Sequence, residues 1–290
     1  MISVPKACVI GDPIGHSLSP LLHTTWLRQT GAKGCYTSLH LKPDEFVSGI
    51  ANLAADPNFV GANITLPYKQ EALLVADTST KIATSIGAAN LLIRKNNKFL
   101  ADNTDAAGFI GPLLCALGLK TLQGKTVLVF GAGGAARAVL EALLCAGVER
   151  VFLCNRSDSR AKILLQELLI HDPKANVKLL KWSERNRSDC QPDIIVNASS
   201  AGMTGFDSLD INLGFYRTVS LVYDLVYQPI LTPLLAQSKE LGLVSLGGLD
   251  MLISQAKPCF IAFFGIDPPS DNTAKLALLR ALQVMAGSGQ

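Results

Sequence analysis

The 290-residue sequence is short of several things, and each shortage removes a class of protein. No apolar run reaches the length a helix needs to span a bilayer, and no charged-then-apolar pattern opens the chain, as expected for a soluble, cytoplasmic protein without a membrane partner. Charged residues are only 17%, with a net charge of +3 and no basic run, which argues against a nucleic-acid partner. Seven cysteines are scattered as an odd set with no C-x-x-C pair. Most sit in apolar stretches and read as small core residues in a reducing compartment, with no structural metal expected. Repeats and low-complexity segments are absent too. What remains is 49% hydrophobic, enough to bury the cores of two domains.

The most informative stretch runs from Thr126 to Ser157. Thr126 to Phe130 is a short apolar run that reads as a strand buried on both faces. It breaks into Gly131-Ala132-Gly133-Gly134-Ala135-Ala136, then into helical sequence closed by Gly147, then into a second buried strand, Val151 to Cys154. This βαβ pattern is that of dinucleotide binding. Gly131 permits the tight turn, Gly133 lets backbone approach a pyrophosphate, and small Ala136 lets the helix pack close to the strand. Free amides at the helix N-terminus would face the phosphates. At the end of the second strand, where NAD sites place an acidic residue, the chain has Arg156, with Arg160 one helical turn on. Two guanidiniums suit a 2′-phosphate, so NADP is expected, with NAD as the alternative because Asp158 lies between them.

Before this stretch, residues 6–11 read as a strand running into Asp12-Pro-Ile-Gly-His-Ser-Leu-Ser-Pro20. Ser19 before Pro20 reads as an N-cap, with Leu21, Leu22 and Trp26 as the buried stripe and Gly31 as the stop. Ser17 adds a second hydroxyl at that positive helix end, and the two together suit a carboxylate. His16 and His23 read as local hydrogen bonders. Strand 35–41 and helix 46–53 lead into an extended segment from Phe59, in which Asn63 and Thr65 share one side and Ile64 and Leu66 point into the core. Pro67 should open a helix with Lys69 in its first turn, a position that runs against the dipole preference and so suggests a functional charge. A hairpin around Asn96-Asn97 precedes a polar cluster, Asp102 to Asp105, before a helix from Phe109 to Leu117; Asp105 reads equally as a cap.

Beyond the central stretch, a helix from Ala161, strands at 177–180, 193–197 and 221–227, and a helix from Thr232-Pro233 continue the strand–helix alternation of a doubly wound parallel sheet. Two final helices from Gly247 are expected to return to the first domain. The fold class is therefore α/β in two domains: an N-terminal α/β domain of residues 1–105 plus 252–290, and a Rossmann-type cofactor domain of residues 106–251.

Taken together, the blocks Gly11–Pro20, Asn63–Lys69, Gly87–Asn90, Asp102–Asp105, Gly131–Ala135, Asn155–Ser157, Asn197–Ser199, Asp224–Pro229 and Met251–Ala256 resemble the shikimate dehydrogenase family over essentially the whole chain. The resemblance implies reversible reduction of 3-dehydroshikimate to shikimate by NADPH, on the route to chorismate and the aromatic amino acids. It makes Lys69 and Asp105 the catalytic pair, gives Ser17 and Ser19 the substrate carboxylate, and gives Thr65, Asn90, Gln255 and Tyr227 its hydroxyls. For the cofactor it implies Gly131, Ala132, Gly133, Gly134, Ala135, Asn155, Arg156, Ser157, Arg160, Asn197, Leu225 and Gly248, in a monomer or homodimer. Leu91 departs from the family's usual Thr, Thr24 from Asn, and Asp250 from Gly. Two rival readings stay open: an NAD-dependent quinate/shikimate dehydrogenase of catabolism, and a non-catalytic ligand sensor, which would be expected to have lost Lys69 or Asp105.

Overall fold

Apolar runs of four to six residues at 6–11, 59–64, 126–130, 194–197 and 221–224 become strands that are buried almost throughout. The computed structural model describes residues 4–186 and 189–287. They form two compact units, one built from the chain up to Thr104 and from Gln255 onward, the other from Asp105 to Ser254.

The first unit contains β1 (Lys6–Gly11), α1 (Ser19–Thr30), β2 (Cys35–His40), α2 (Phe46–Ala55), β3 (Phe59–Ile64), α3 (Lys69–Val75), β4 (Thr78–Ser79), α4 (Lys81–Ile86), β5 (Leu91–Lys95) and β6 (Lys98–Asp102). Its mixed sheet has the order β2-β1-β3-β5-β6-β4. β1 lies parallel to both β2 and β3, and the β5–β6 hairpin adds antiparallel to β3. Asn96 and Asn97 take positive φ at the hairpin turn, as a tight turn of this type requires.

The second unit contains α5 (Asp105–Leu117), β7 (Thr126–Phe130), α6 (Gly134–Cys145), β8 (Arg150–Cys154), α7 (Asp158–His171), β9 (Val177–Leu180), β10 (Ile194–Asn197), β11 (Leu221–Asp224), α8 (Pro233–Glu240) and β12 (Val244–Gly247). Its sheet is parallel throughout, in the order β12-β11-β10-β7-β8-β9. The order reverses between β7 and β10, so the carboxyl ends of these two strands make the crevice where doubly wound sheets take ligands. α9 (Gly248–Phe264) begins in this unit, and its C-terminal half belongs to the first, as does α10 (Thr273–Gly287). There Phe260 meets Trp26 edge-on at 5.5 Å, and α10 packs on α1.

Several local expectations need correction. Ser19 is not the cap of α1: it is the first helical residue, and Leu18 before it is already in αR conformation. The capping falls to Ser17, whose Oγ accepts the Ser19 amide at 3.3 Å. Leu21 is only half-buried; Leu22, His23, Trp26 and Leu27 form the inner face. Leu66, expected in the core, is 57% exposed. β3 ends at Ile64 and the chain turns, with Tyr68 N–H donating to the Thr65 carbonyl, so Tyr68 rather than Leu66 fills the core, stacked on Phe46 at 4.5 Å. Pro67 precedes α3 instead of opening it, and α5 starts at Asp105, four residues before Phe109. The strand from Leu221 stops at Asp224. Three short elements, β4, α4 and β12, carried no clear periodicity.

Candidate active site

In the first unit the β1–α1 loop, the end of β3, the start of α3, Asn90 before β5 and the residues up to Thr104 are tied together by hydrogen bonds. Thr65 N–H donates to the Ile10 carbonyl at 2.9 Å, which brings the Thr65 segment beside the end of β1. Ala89 N–H donates to the Lys69 carbonyl at 2.7 Å, which ties the start of α3 to Asn90. Asn90 in turn grips the short segment that leads from β6 to Asp105: its side-chain amide nitrogen donates to Thr104 Oγ1 at 2.9 Å and its side-chain carbonyl oxygen accepts Thr104 N–H at 2.8 Å. The same amide nitrogen reaches Gln255 Oε1 at 3.2 Å. Lys69 is the first residue of α3 and half-buried, and Asp105 is the first of α5 and 4% exposed. Ser17 and Thr65 are half-buried and Ser19 is buried.

Below these residues lies a polar layer that sequence reasoning did not single out. The Tyr36 hydroxyl donates to Asn63 Oδ1 at 2.7 Å and also bonds to the Ser19 side chain. Asn63 Nδ2 donates to the Asn90 carbonyl at 3.3 Å and to Cys259 Sγ at 3.0 Å. Burial holds the Tyr36 hydroxyl well above its ordinary pKa, so it remains a protonated donor. Asn63 was legible as a polar residue in an apolar strand; Tyr36 and Cys259 gave no such signal. His23, expected to hydrogen-bond locally, does not. Both of its ring nitrogens are buried without a partner among the described residues, and the ring stacks on Tyr36 with centroids 4.0 Å apart. Burial pushes its pKa down to about 3, so the ring is neutral.

In the second unit, Gly131 follows β7 with φ of 117°, and a Cβ there would sit 2.7 Å from the Ala198 carbonyl oxygen. Only glycine fits. Gly133 is the exposed N-cap of α6, with nothing within 4 Å of where its side chain would lie. Ala132, Gly134 and Ala135 are partly exposed around it, while Ala136 is fully buried against the sheet. This leaves open space before a helix N-terminus at the point where strand order reverses. It is a cradle that fits a pyrophosphate. Past β8, Ser157 caps α7 by accepting the Arg160 amide, Asn155 donates to the Ser157 carbonyl, and Arg156, Asp158 and Arg160 are all exposed.

Asn197, at the end of β10, is fully buried and donates to Asp224 Oδ1 and to the Ala201 carbonyl, both at 2.9 Å. Asp224 Oδ2 accepts the Thr232 hydroxyl at 2.6 Å, and Oδ1 also accepts Val226 N–H at 3.1 Å. Burial pushes Asp224 up to about 6, against the pull of these three donors. The network holds the loop carrying Leu225 and Tyr227, whose side chains are half-buried. Leu225 N–H donates to the Asn197 carbonyl at 2.9 Å, and a side chain at Gly248 would collide with the Leu225 carbonyl. Asn197 therefore shapes the loop through its side chain, which faces protein donors and acceptors.

Family models for the "Shikimate dehydrogenase substrate binding domain" and for "Shikimate / quinate 5-dehydrogenase" match residues 9–92 and 114–211. The chain is 41% identical to the shikimate dehydrogenase (NADP(+)) of Acidiphilium cryptum, over 95% of each protein. The chain belongs to the shikimate dehydrogenase family. It also superposes on the shikimate 5-dehydrogenase of Thermus thermophilus, solved in complex with NADP(H) and shikimate, with a TM-score of 0.82 and 31% identity over 96% of this chain and all of that one. The 5-ketofructose reductase of Gluconobacter sp. strain CHM43 is also similar, with a TM-score of 0.81 and 25% identity over 97% of this chain and all of that one. The architecture therefore serves more than one carbonyl substrate, and the substrate must be argued from the site. Among the described residues there is no group of metal-ligating side chains, and no helix is long and apolar enough to cross a membrane.

Proposed function

We propose that this protein reversibly reduces 3-dehydroshikimate to shikimate with NADPH, as its family membership implies, and so serves the biosynthetic route to the aromatic amino acids. In this reading the first unit is the substrate domain and the second the cofactor domain. The observation that carries the substrate assignment is the amide cluster of Asn90 and Gln255 around Thr104, in the same unit as the paired hydroxyls Ser17 and Ser19. A hydroxylated ring acid needs both kinds of group: amides for its ring hydroxyls and a positive helix end with hydroxyl donors for its carboxylate. Thr65 and Tyr227 would complete the hydroxyl contacts.

Bound NADPH would supply the hydride to the carbonyl carbon, and the residues of this chain would manage the proton and the charge. As the carbonyl oxygen becomes an alkoxide, Lys69 would donate the proton that makes it a hydroxyl, with Asp105 orienting the ammonium and shuttling the proton in reverse. Gly131 to Ala135 would hold the pyrophosphate at the start of α6, and Arg156 and Arg160 the 2′-phosphate. Asn155, Ser157, Asn197, Leu225 and Gly248 would shape the remaining cofactor surface. Quinate oxidation with NAD is the second reading, favoured by Asp158 at the start of α7 and by Leu91 in place of the family's usual Thr.

The test is product identification. Purified protein incubated with 3-dehydroshikimate and NADPH should yield shikimate and consume NADPH in equal amounts. NADPH consumption without shikimate would assign the reductase another carbonyl substrate.

A further inference from the structure

Asp224 ends β11 and is fully buried, and the three groups that donate to its carboxylate are all neutral. Oδ1 accepts Asn197 Nδ2 at 2.9 Å and Val226 N–H at 3.1 Å, and Oδ2 accepts the Thr232 hydroxyl at 2.6 Å. Main-chain groups fix these directions. Asn197 Oδ1 accepts Ser199 N–H and its Nδ2 donates to the Ala201 carbonyl, so the amide faces Asp224 with its nitrogen. Thr232 Oγ1 accepts Leu235 N–H as the cap of α8, which leaves its own proton for Asp224. One side chain thereby joins the end of β10, the chain after β11 and the start of α8. A carboxylate costs more to bury than an amide or an alcohol, and here the donors that offset the cost sit on three separate segments.

What this junction fixes is the main chain of Leu225 and Val226. Leu225 N–H donates to the Asn197 carbonyl at 2.9 Å, Val226 N–H donates to Asp224, and the Val226 carbonyl accepts Gly248 N–H at 3.3 Å. Gly248 lies directly against the Leu225 carbonyl, so a turn of the Val226 peptide is passed to Leu225 and Gly248 together. The sheet order says which part of a dinucleotide this reaches. The glycine turn follows β7, and the two arginines follow β8 on one side of it. Asp224 follows β11 on the other side, beyond β10. With the pyrophosphate at α6 and the 2′-phosphate at the arginines, the nicotinamide half would extend over the ends of β10 and β11. Asp224 and Thr232 are both fully buried, so each acts on a ligand only through the loop.

We infer that Asp224 is a positioning residue for the nicotinamide half of the cofactor: held by Asn197 and Thr232, its carboxylate sets the Leu225–Val226 main chain against Gly248. The inference deepens the proposed cofactor reading and rests on it.

Two variants test it, Asp224→Ala and Thr232→Val, each titrated with NADP and with adenosine 2′,5′-bisphosphate well below its unfolding midpoint. The bisphosphate carries the 2′-phosphate that Arg156 and Arg160 would read and has no nicotinamide. Asp224→Ala should raise Kd for NADP about tenfold or more and hold Kd for the bisphosphate within about twofold, as expected when buried donors lose their acceptor. Thr232→Val keeps the shape of its side chain and removes one donor. It should raise Kd for NADP about threefold or more, again with the bisphosphate unchanged. Parental NADP binding in either folded variant overturns the inference. So does an equal loss for both ligands, which a loosened domain would give. If Asp224→Ala does not fold, Thr232→Val decides. The parent protein separates the two levels. If it binds neither ligand, the cofactor reading fails and the inference with it; if it binds both and the variants match it, only the Asp224 inference fails.

Discussion

Asn90 and Thr104 hold each other by two hydrogen bonds, side-chain amide to hydroxyl at 2.9 Å and backbone amide to side-chain carbonyl at 2.8 Å. Both are buried, and the next residue is Asp105. A proposed substrate contact thus also sets where a proposed catalytic carboxylate starts. Asn90→Ala should therefore cost twice. It leaves the Thr104 amide unpaired in the interior, for about 1–3 kcal/mol of stability, and it should raise KM for shikimate at least tenfold. Urea unfolding and steady-state kinetics read the two losses. A stable variant with normal KM would separate Asn90 from both roles.

Lys69 opens α3, and its carbonyl accepts Ala89 N–H, so its backbone is fixed next to Asn90. Lys69→Ala should lower kcat by about a hundredfold or more and change KM for shikimate only several-fold, as the loss of proton transfer predicts. A variant that keeps most of its kcat removes Lys69 from the chemistry.

Arg156 and Arg160 are exposed, as is Asp158 between them. Arg156→Ala should raise KM for NADP by about ten- to a hundredfold, the equivalent of one charge-assisted contact, and leave KM for NAD nearly unchanged. Because the site is exposed, the penalty should shrink as salt is added. Equal losses for both cofactors would mean that Arg156 does not read the 2′-phosphate.

His23 predicts a specific acid lability. Its unfolded pKa is 6.5 and its folded pKa about 3. Above pH 6.5 both states are neutral and it contributes nothing. As the pH falls below 6.5, the unfolded chain takes a proton that the fold refuses. Stability then drops by about 1.4 kcal/mol per pH unit until about pH 3. His23→Phe keeps the stack on Tyr36 and removes two unpartnered nitrogens. Relative to the variant, the parent should lose about 2 kcal/mol between pH 7 and pH 5. Parallel curves would show that His23 takes a proton without cost.

Where sequence and structure agree, the signal was local and its physical cause was a single residue or run. Gly131 needs a positive φ beside Ala198, Asn96-Asn97 turn a hairpin, and the runs at 126–130 and 151–154 are too apolar to be anything but buried strands. Where they part, the cause is either a local backbone turn or a partner distant along the chain. Ser19 had a cap's sequence context, but Leu18 already takes the helical conformation and its carbonyl accepts Leu22 N–H. Leu66 had a core residue's chemistry, yet the turn after Ile64 gave its place to Tyr68. Tyr36 and Cys259 both meet Asn63, 27 residues from the one and 196 from the other. The Thr78–Ile86 segment carries caps rather than periodicity: Thr80 accepts Ala83 N–H and Gly87 ends the helix left-handed.

The most direct test of the central claim is a matrix of initial rates, shikimate or quinate against NADP or NAD, on the unmodified protein. The account predicts the highest kcat/KM for shikimate with NADP, because the paired hydroxyls at α1 and the two arginines at α7 act together. A higher kcat/KM with NAD would contradict it and make Asp158 the residue that decides the cofactor; a higher kcat/KM for quinate would contradict the substrate assignment.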